Sequence, residues 1–242
     1  MDNVTSTISD LAIATPGAIP VLERLGIDYC CNGRQPIADA CRRAGVTPEE
    51  LLAMIGTPST TVERKWESEA LATLLRFIVD THHVYTRQAL TMLPTLAIKV
   101  RDHHGPRYAE LATVETLTRQ LSADLMPHMM KEENVLFPYV AAMEEATLRG
   151  EEAPIPFFAT VKNPIRMMML EHEAAGEIVA ELRGITANYA LPDDACTSFR
   201  ALYAGLQELE TDLHRHIHLE NNILFPRSIE VENNSRMLVT TR

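Results

Sequence analysis

The segment His128-Met129-Met130-Lys131-Glu132-Glu133-Asn134-Val135-Leu136-Phe137-Pro138 is echoed 88 positions later by His216-Ile217-His218-Leu219-Glu220-Asn221-Asn222-Ile223-Leu224-Phe225-Pro226. In each copy a histidine and a glutamate stand four positions apart, which on an α-helix places them one turn apart on a single face. Each pair also sits within an apolar stripe at helical spacing: Val114, Leu117, Leu121, Leu125 and Leu136 for the first, Phe199, Leu202, Leu206, Leu209, Leu213 and Ile223 for the second. Metal-capable side chains on the apolar faces of two helices point to a polar site inside a helical bundle.

Two further stripes have the same character. One reads Leu71, Leu74, Leu75, Ile78, His82, Tyr85, Ala89, and the other Ile165, Met168, Met169, His172, Gly176, Val179. His82 precedes His128 by 46 positions and His172 precedes His216 by 44, the spacing expected of two helical hairpins about a pseudo-twofold axis. The expected fold is therefore all-α, an up-down-up-down four-helix bundle over residues 63–230. Asn163-Pro164 is expected to start the third helix, and Asp193 or Asp194 to cap the fourth. No stretch alternates with period two, so no sheet is expected.

The run Ile55-Gly56-Thr57-Pro58-Ser59-Thr60-Thr61 is rich in chain breakers and hydroxyls and marks a boundary, leaving a small helical domain over 1–58 and a C-terminal tail over 231–242. In the small domain Thr15-Pro16 and Thr47-Pro48 are helix starts, and Glu50 completes a capping box with Thr47. Gly26 ends the helix carrying Ile19, Val21, Leu22 and Leu25, which leaves Asp28-Tyr29-Cys30-Cys31-Asn32-Gly33-Arg34 in a turn.

Four imidazoles (His82, His128, His172, His216) and two carboxylates (Glu132, Glu220) in one apolar interior need a counter-charge, because an unpaired buried carboxylate costs several kcal/mol. Two divalent cations supply it. Imidazole with carboxylate and no thiolate suits iron or manganese, with zinc an alternative, and a bundle with carboxylates shared between metals is the usual setting of a di-iron centre. Six protein ligands over two metals leave coordination positions open for a diatomic, a peroxide or an oxo bridge. His83, His214 and His218 fall off the inward faces and read as surface or supporting residues, and His103 and His104 as solvated. Surface charge is the default for Glu171 and Glu173, with a hydrogen bond to a ligand imidazole as the alternative; core filling is the default for Met167 to Met169, a local kink for Pro127, and inert thiols for Cys41 and Cys196.

The 242 residues carry a net charge of −11, which lacks the clustered basic footprint that nucleic acid or an anionic membrane requires. No basic leader or membrane-length apolar run is present in the sequence, and the expected location is cytoplasmic. Four cysteines, two of them adjacent, do not resemble a secreted disulfide framework.

Asp28-Tyr29-Cys30-Cys31, the two His-x-x-x-Glu segments ending in Leu-Phe-Pro, and Glu171-His172-Glu173-Ala174-Ala175-Gly176 together resemble the Repair of Iron Centers family over nearly the whole chain. The resemblance implies a hemerythrin-like bundle with a small cysteine-bearing N-terminal domain. It also implies two non-haem iron ions, oxo- or hydroxo-bridged, ligated by His82, His128, His172 and His216 and bridged by Glu132 and Glu220. The implied role is repair of iron-sulfur clusters damaged by nitrosative or oxidative stress, through iron supply or the handling of nitric oxide; Cys30 and Cys31 read either as a thiol transfer or redox station or as an inert structural pair. Partners would be damaged iron-sulfur proteins and small ligands such as nitric oxide, oxygen or peroxide; a homodimer is compatible with this. Two other readings need the same metal ligands: a nitric oxide reductase, and a non-catalytic sensor or carrier of oxygen or nitric oxide. The family commonly has two glycines after the cysteine pair. Asn32 stands at the first here, and asparagine's tolerance of the left-handed conformation is expected to preserve the turn.

Overall fold

A computed structural model describes residues 7–56 and 65–240. Most of the expected boundary run, with both of its limits at 58 and 63, lies outside the described residues. In the small domain α1 (Ile8–Ala14), α2 (Ile19–Leu25), α3 (Ile37–Ala44) and α4 (Pro48–Ile55) enclose a core of Ile8, Leu22, Cys41 and Leu51, all fully buried. The Thr47–Glu50 capping box forms as expected, and Gly26 closes α2 at φ 64. A second box, Thr7 with Asp10, starts α1. Thr15 does not begin an α-helix; it ends α1, and a 3₁₀ turn over Pro16–Ala18 leads into α2.

The rest of the chain forms four long rods. α5 (Leu71–Phe77) runs through a π-helical turn into α6 (Val84–His104), and α7 (Leu111–Lys131) runs through a second into α8 (Phe137–Leu148). α9 (Lys162–Ile185) is continuous, and α10 (Thr197–Leu219) passes through a third π turn into α11 (Phe225–Thr240). α6 packs between α7 and α10, and α9 closes the ring between the same two helices. This is the expected up-down-up-down bundle. Among the described residues there is no strand, only an isolated bridge between Thr7 and Pro36, and no helix is long and apolar enough to cross a membrane.

The π turns decide which side chains face inward. Each widens the helix so that a backbone N–H reaches the carbonyl five residues back: Val84 to Val79, Phe137 to Glu132, Phe225 to Glu220. One extra residue in a turn rotates everything after it by about 100° relative to an α-helical register. After Ile78 the buried face therefore continues through His83, Thr86, Leu90 and Leu93, while Tyr85 of the expected stripe is only half-buried. Pro138 and Pro226 account for the second and third turns, since a proline ring collides with the carbonyl four residues back in an α-helix and lacks the N–H to bond it.

Other expectations are corrected in detail. α9 begins at Lys162, and Asn163 bonds the Phe158 carbonyl rather than capping. Asp194 does not cap α10; it takes Arg107 and the Tyr108 hydroxyl, each at 2.5 Å, and Cys196 is the first residue outside that helix. The expected tail from 231 is continuous with α11, and Glu232 and Ser235 are buried against the bundle.

Two apolar cores sandwich a polar layer. One, among α6, α7, α9 and α10, includes Leu93, Leu121, Leu182 and Leu206. The other, where α5, α8 and α11 converge, includes Leu74, Ile78, Phe137, Ile165, Leu224 and Phe225. Each fully buried leucine contributes about 1.5–3 kcal/mol. α5 lacks a local cap; instead Glu144, on α8, accepts from Leu71 N at 2.6 Å and Ala72 N at 2.9 Å. Glu144→Ala is expected to lower stability by about 1–2 kcal/mol in urea denaturation, as loss of a helix cap does, and an unchanged midpoint would refute the capping role.

Candidate metal centre

In the polar layer, His83, Glu132, His216 and Glu220 form one group of donors and His128, Glu132, His172 and Glu220 another, all buried, with the ligand atoms of each group within 4.8 Å of one another. The two carboxylates belong to both groups. Glu220 divides its oxygens: Oε1 lies 3.0 Å from His216 Nε2, and Oε2 lies 3.1 Å from His172 Nε2. Glu132 Oε2 is 3.4 Å from both His83 Nε2 and His128 Nε2.

The outer nitrogens identify which ring atom faces the centre. His83 Nδ1 is 2.6 Å from Glu133 Oε1, His128 Nδ1 is 2.7 Å from Glu171 Oε2, and His172 Nδ1 is 2.8 Å from Asn221 Oδ1. Each of these oxygens accepts, so each Nδ1 carries the proton and each Nε2 presents a lone pair inward. Arg87 holds Glu133 in turn, and Lys131 holds Glu171.

The donor set fits a cation pair. His128 Nε2 and His172 Nε2 face each other at 3.0 Å, and His83 Nε2 and His216 Nε2 at 3.1 Å. Lone pairs opposed at that distance repel unless something positive lies between them. Both oxygens of Glu132, and Glu220 Oε2, are buried with no hydrogen-bond partner among the described residues. For the protein groups alone only protons can answer this. Burial pushes His83 down, but Glu132 and Glu220 outweigh it and hold the ring up at about 10. His172 is held up at about 9 in the same way, chiefly by Glu220 against burial. Burial, followed by the neighbouring His172, drives His128 down to about 3, while burial together with Glu220 lifts Glu132 to about 7.

Five of the six expected donors are brought together: His128, Glu132, His172, His216 and Glu220. The sixth is corrected. His82 lies outside both groups, with Nδ1 bonded to Asp212 at 2.9 Å and its ring stacked on that of His216 at 5.6 Å. His83, expected at the surface or in support, is fully buried and takes the inward place because the Ile78–His83 turn is π-helical. The outer partners Glu133 and Asn221, each next to a shared glutamate, were not singled out from sequence. Glu171 is bonded to His128 rather than free at the surface, whereas Glu173 is exposed. His218 is buried against Tyr29, His214 pairs with Glu23, and His104 is half-buried, 3.1 Å from Cys196 Sγ.

The cysteine turn lies against this centre. Asp28 closes it by accepting from the backbone N–H groups of Cys30, Cys31 and Asn32 at 2.9, 3.0 and 3.1 Å. Asn32 needs no left-handed conformation; its N–H is simply drawn to Asp28. Gly33 is the strict requirement, since a Cβ there would stand 2.4 Å from the Tyr29 carbonyl oxygen. Cys31 Sγ lies 3.5 Å from the His172 carbonyl oxygen, and both cysteines line a cavity of ≈ 500 Å³ with Asp28, Glu173, Glu177 and His214.

Residues 74–228 match the hemerythrin HHE cation-binding domain, and residues 4–58 match ScdA_N, a domain of unknown function. The chain is 34% identical over 224 residues to a probable iron-sulfur cluster repair protein of Haemophilus influenzae, covering 91% of this chain and 95% of that one. It is 33% identical over 237 residues to iron-sulfur cluster repair proteins YtfE of Yersinia pseudotuberculosis and Yersinia pestis, covering 96% of this chain and all of theirs.

Two outcomes test the geometry. His83→Ala is expected to weaken metal binding by more than the ~10- to 100-fold that loss of an outer partner costs, while His82→Ala keeps full metal content, measured by elemental analysis after dialysis; the reverse order would reinstate His82. Metal must also displace the protons held on His83 and His172, so uptake at pH 7 is expected to release protons and to weaken as pH falls. Titration calorimetry in two buffers of different ionisation enthalpy measures that release, and identical heats would refute it.

Proposed function

Because the chain belongs to the hemerythrin HHE cation-binding family, and within it to the iron-sulfur cluster repair proteins, we propose that it is a di-iron protein restoring iron-sulfur clusters damaged by nitrosative or oxidative stress. The observation that carries this reading is the sharing of Glu132 and Glu220 between two histidine pairs in a layer closed off by apolar residues on both sides. Two histidines and two shared carboxylates would give each metal four protein ligands. Six-coordinate iron would then keep two positions for exogenous ligands, unlike a closed structural site. When bound, the iron pair supplies ferrous ions for rebuilding a cluster and open positions for nitric oxide, oxygen or peroxide.

The protein's own residues do the rest. Glu133, Glu171 and Asn221 hold three rings in the tautomer that presents Nε2, and the flanking leucines and phenylalanines exclude bulk water. Cys31 is the better placed thiol for transfer, being half-buried, whereas Cys30 is 4% exposed and within 3.3 Å of Asp28 Oδ1 as donor. The Cys30 thiol beside Cys31 lowers the latter's pKa, against burial and Asp28. The oxo or hydroxo bridge, and a damaged iron-sulfur protein as the receiving partner, belong to this proposal.

The test is an anaerobic incubation of iron-loaded protein with an iron-sulfur enzyme inactivated by nitric oxide or peroxide. Enzyme activity should return as iron leaves the repair protein. Cys30→Ser combined with Cys31→Ser should keep its iron yet lose transfer by roughly tenfold or more, the scale on which a group acting directly in a step counts. Sustained conversion of nitric oxide to nitrous oxide without reactivation would overturn repair in favour of a reductase.

A further inference from the structure

The two halves of the repeat differ at the residue that follows each shared carboxylate. Glu133 reaches His83 Nδ1 at 2.6 Å, and its counterpart Asn221 reaches His172 Nδ1 at 2.8 Å. A carboxylate can only accept, and Glu133 spends that capacity on His83 and Arg87. An amide has a donor as well. Asn221, buried at 6% exposure, accepts from His172 through Oδ1 and donates through Nδ2 to the Cys30 carbonyl oxygen at 3.4 Å.

We propose that Asn221 is a positioning residue linking the cysteine turn of the small domain to the metal position held by His128 and His172, and that the two metal positions are unequal because the second ring of that position is held by the Asn221 amide while the second ring of the other, His216, has no outer partner among the described residues. The inference rests on the metal-centre reading above and deepens it.

Both parts follow from the donors. An imidazole whose N–H is held by a carboxylate is a stronger ligand than one held by a neutral amide. Each position has one ring held by a carboxylate, so the inequality lies in the second ring: one position has the His83–Glu133 pair together with His216, whose Nδ1 is buried without a partner among the described residues. The other has the His128–Glu171 and His172–Asn221 pairs. The link arises because one side chain serves both groups: Asn221 cannot follow a displaced Cys30 carbonyl without turning its oxygen away from His172. Coupling of this kind is reciprocal, so a metal that fixes His172 must also order the turn. Asn222 supports the same turn without a bond to His172, donating to the Tyr29 carbonyl oxygen at 3.1 Å and to the Cys30 carbonyl oxygen at 3.5 Å.

The experiment uses the full chain loaded with ferrous ⁵⁷Fe, read by Mössbauer spectroscopy and by hydrogen exchange of amides 28–33. The unaltered protein should give two distinct quadrupole doublets of equal area, and iron should slow exchange in the turn by roughly tenfold. Asn221→Asp keeps an acceptor for His172 but loses the donor to Cys30. It should retain iron, shift one doublet and abolish the iron-dependent protection. Glu133→Gln should shift the other doublet and leave that protection intact. Asn222→Ala should speed exchange equally with and without iron and move neither doublet, so the coupling stays measurable if Asn221→Asp fails to fold. Bound iron with indistinguishable doublets, turn exchange indifferent to iron, or Glu133→Gln and Asn221→Asp shifting the same doublet would each overturn the proposal. Iron missing from the unaltered chain would overturn the centre itself, which tells the two failures apart.

Discussion

Four imidazole lone pairs and two carboxylates converging in a dry layer are the constraint around which the bundle is organised. Burial alone makes such a group of donors unstable, and their separations of 3.0 to 3.4 Å leave no room for an apolar compromise. The layer persists because three of its four rings are held from outside. Glu133 is clamped by Arg87, Glu171 by Lys131, and the rings by Glu133, Glu171 and Asn221. The apolar cores above and below then determine dielectric as well as stability, since cation–carboxylate attraction is strongest where water is excluded.

The three π turns meet this constraint at the level of the backbone. A widened turn gives up regular α-helical bonding, and here all three occur beside the polar layer. In α7 and α10 the turn begins at the shared glutamate, immediately after the His-x-x-x-Glu turn that sets the histidine and carboxylate on one face. Regular helix thus sets the ligand pair, and the widened turn that follows returns the chain to packing register at Phe137 and Phe225, both buried. α9, which contributes only His172, needs no such adjustment and is α-helical throughout.

The sequence exposed most of this because its signals are periodic. The repeated His-x-x-x-Glu segments and their leucine stripes lead directly to the rods and to four of the donors, and the stripe from Ile165 to Val179 leads to the fifth, His172. Periodicity failed at His82 because a stripe counted at 3.6 residues per turn assumes an uninterrupted α-helix. Nothing between Ile78 and Val84 announces the π turn, in contrast to Pro138 and Pro226, whose missing N–H groups mark the other two. The adjacent pair His82-His83 makes the slip costless to a pattern and decisive for the site. Outer partners were illegible for a different reason. Glu171 and Asn221 sit beside ligand positions, as any charged or polar helix residue could, and only tertiary contact distinguishes a ring-holding carboxylate from a solvated one.

The pseudo-twofold symmetry explains why the small domain docks where it does. Four residues after His83 stands Arg87, whose guanidinium pairs with Glu133, the residue that holds the His83 ring. Four residues after His172 stands Gly176, and a Cβ there would come within 3.4 Å of Cys31 Sγ. Replacing arginine by glycine clears one ring position, and replacing glutamate by asparagine removes the charge that the arginine would have balanced. The vacated side can then receive a backbone turn whose carbonyls need donors. Asn221 and Asn222 supply those donors, and Asp28 keeps the turn compact without help from the bundle. The equivalent face near His83 could accept no such turn, because Arg87 and Glu133 already satisfy each other. The layer thereby meets the Arg87–Glu133 pair beside His83 and the cysteine turn beside His172.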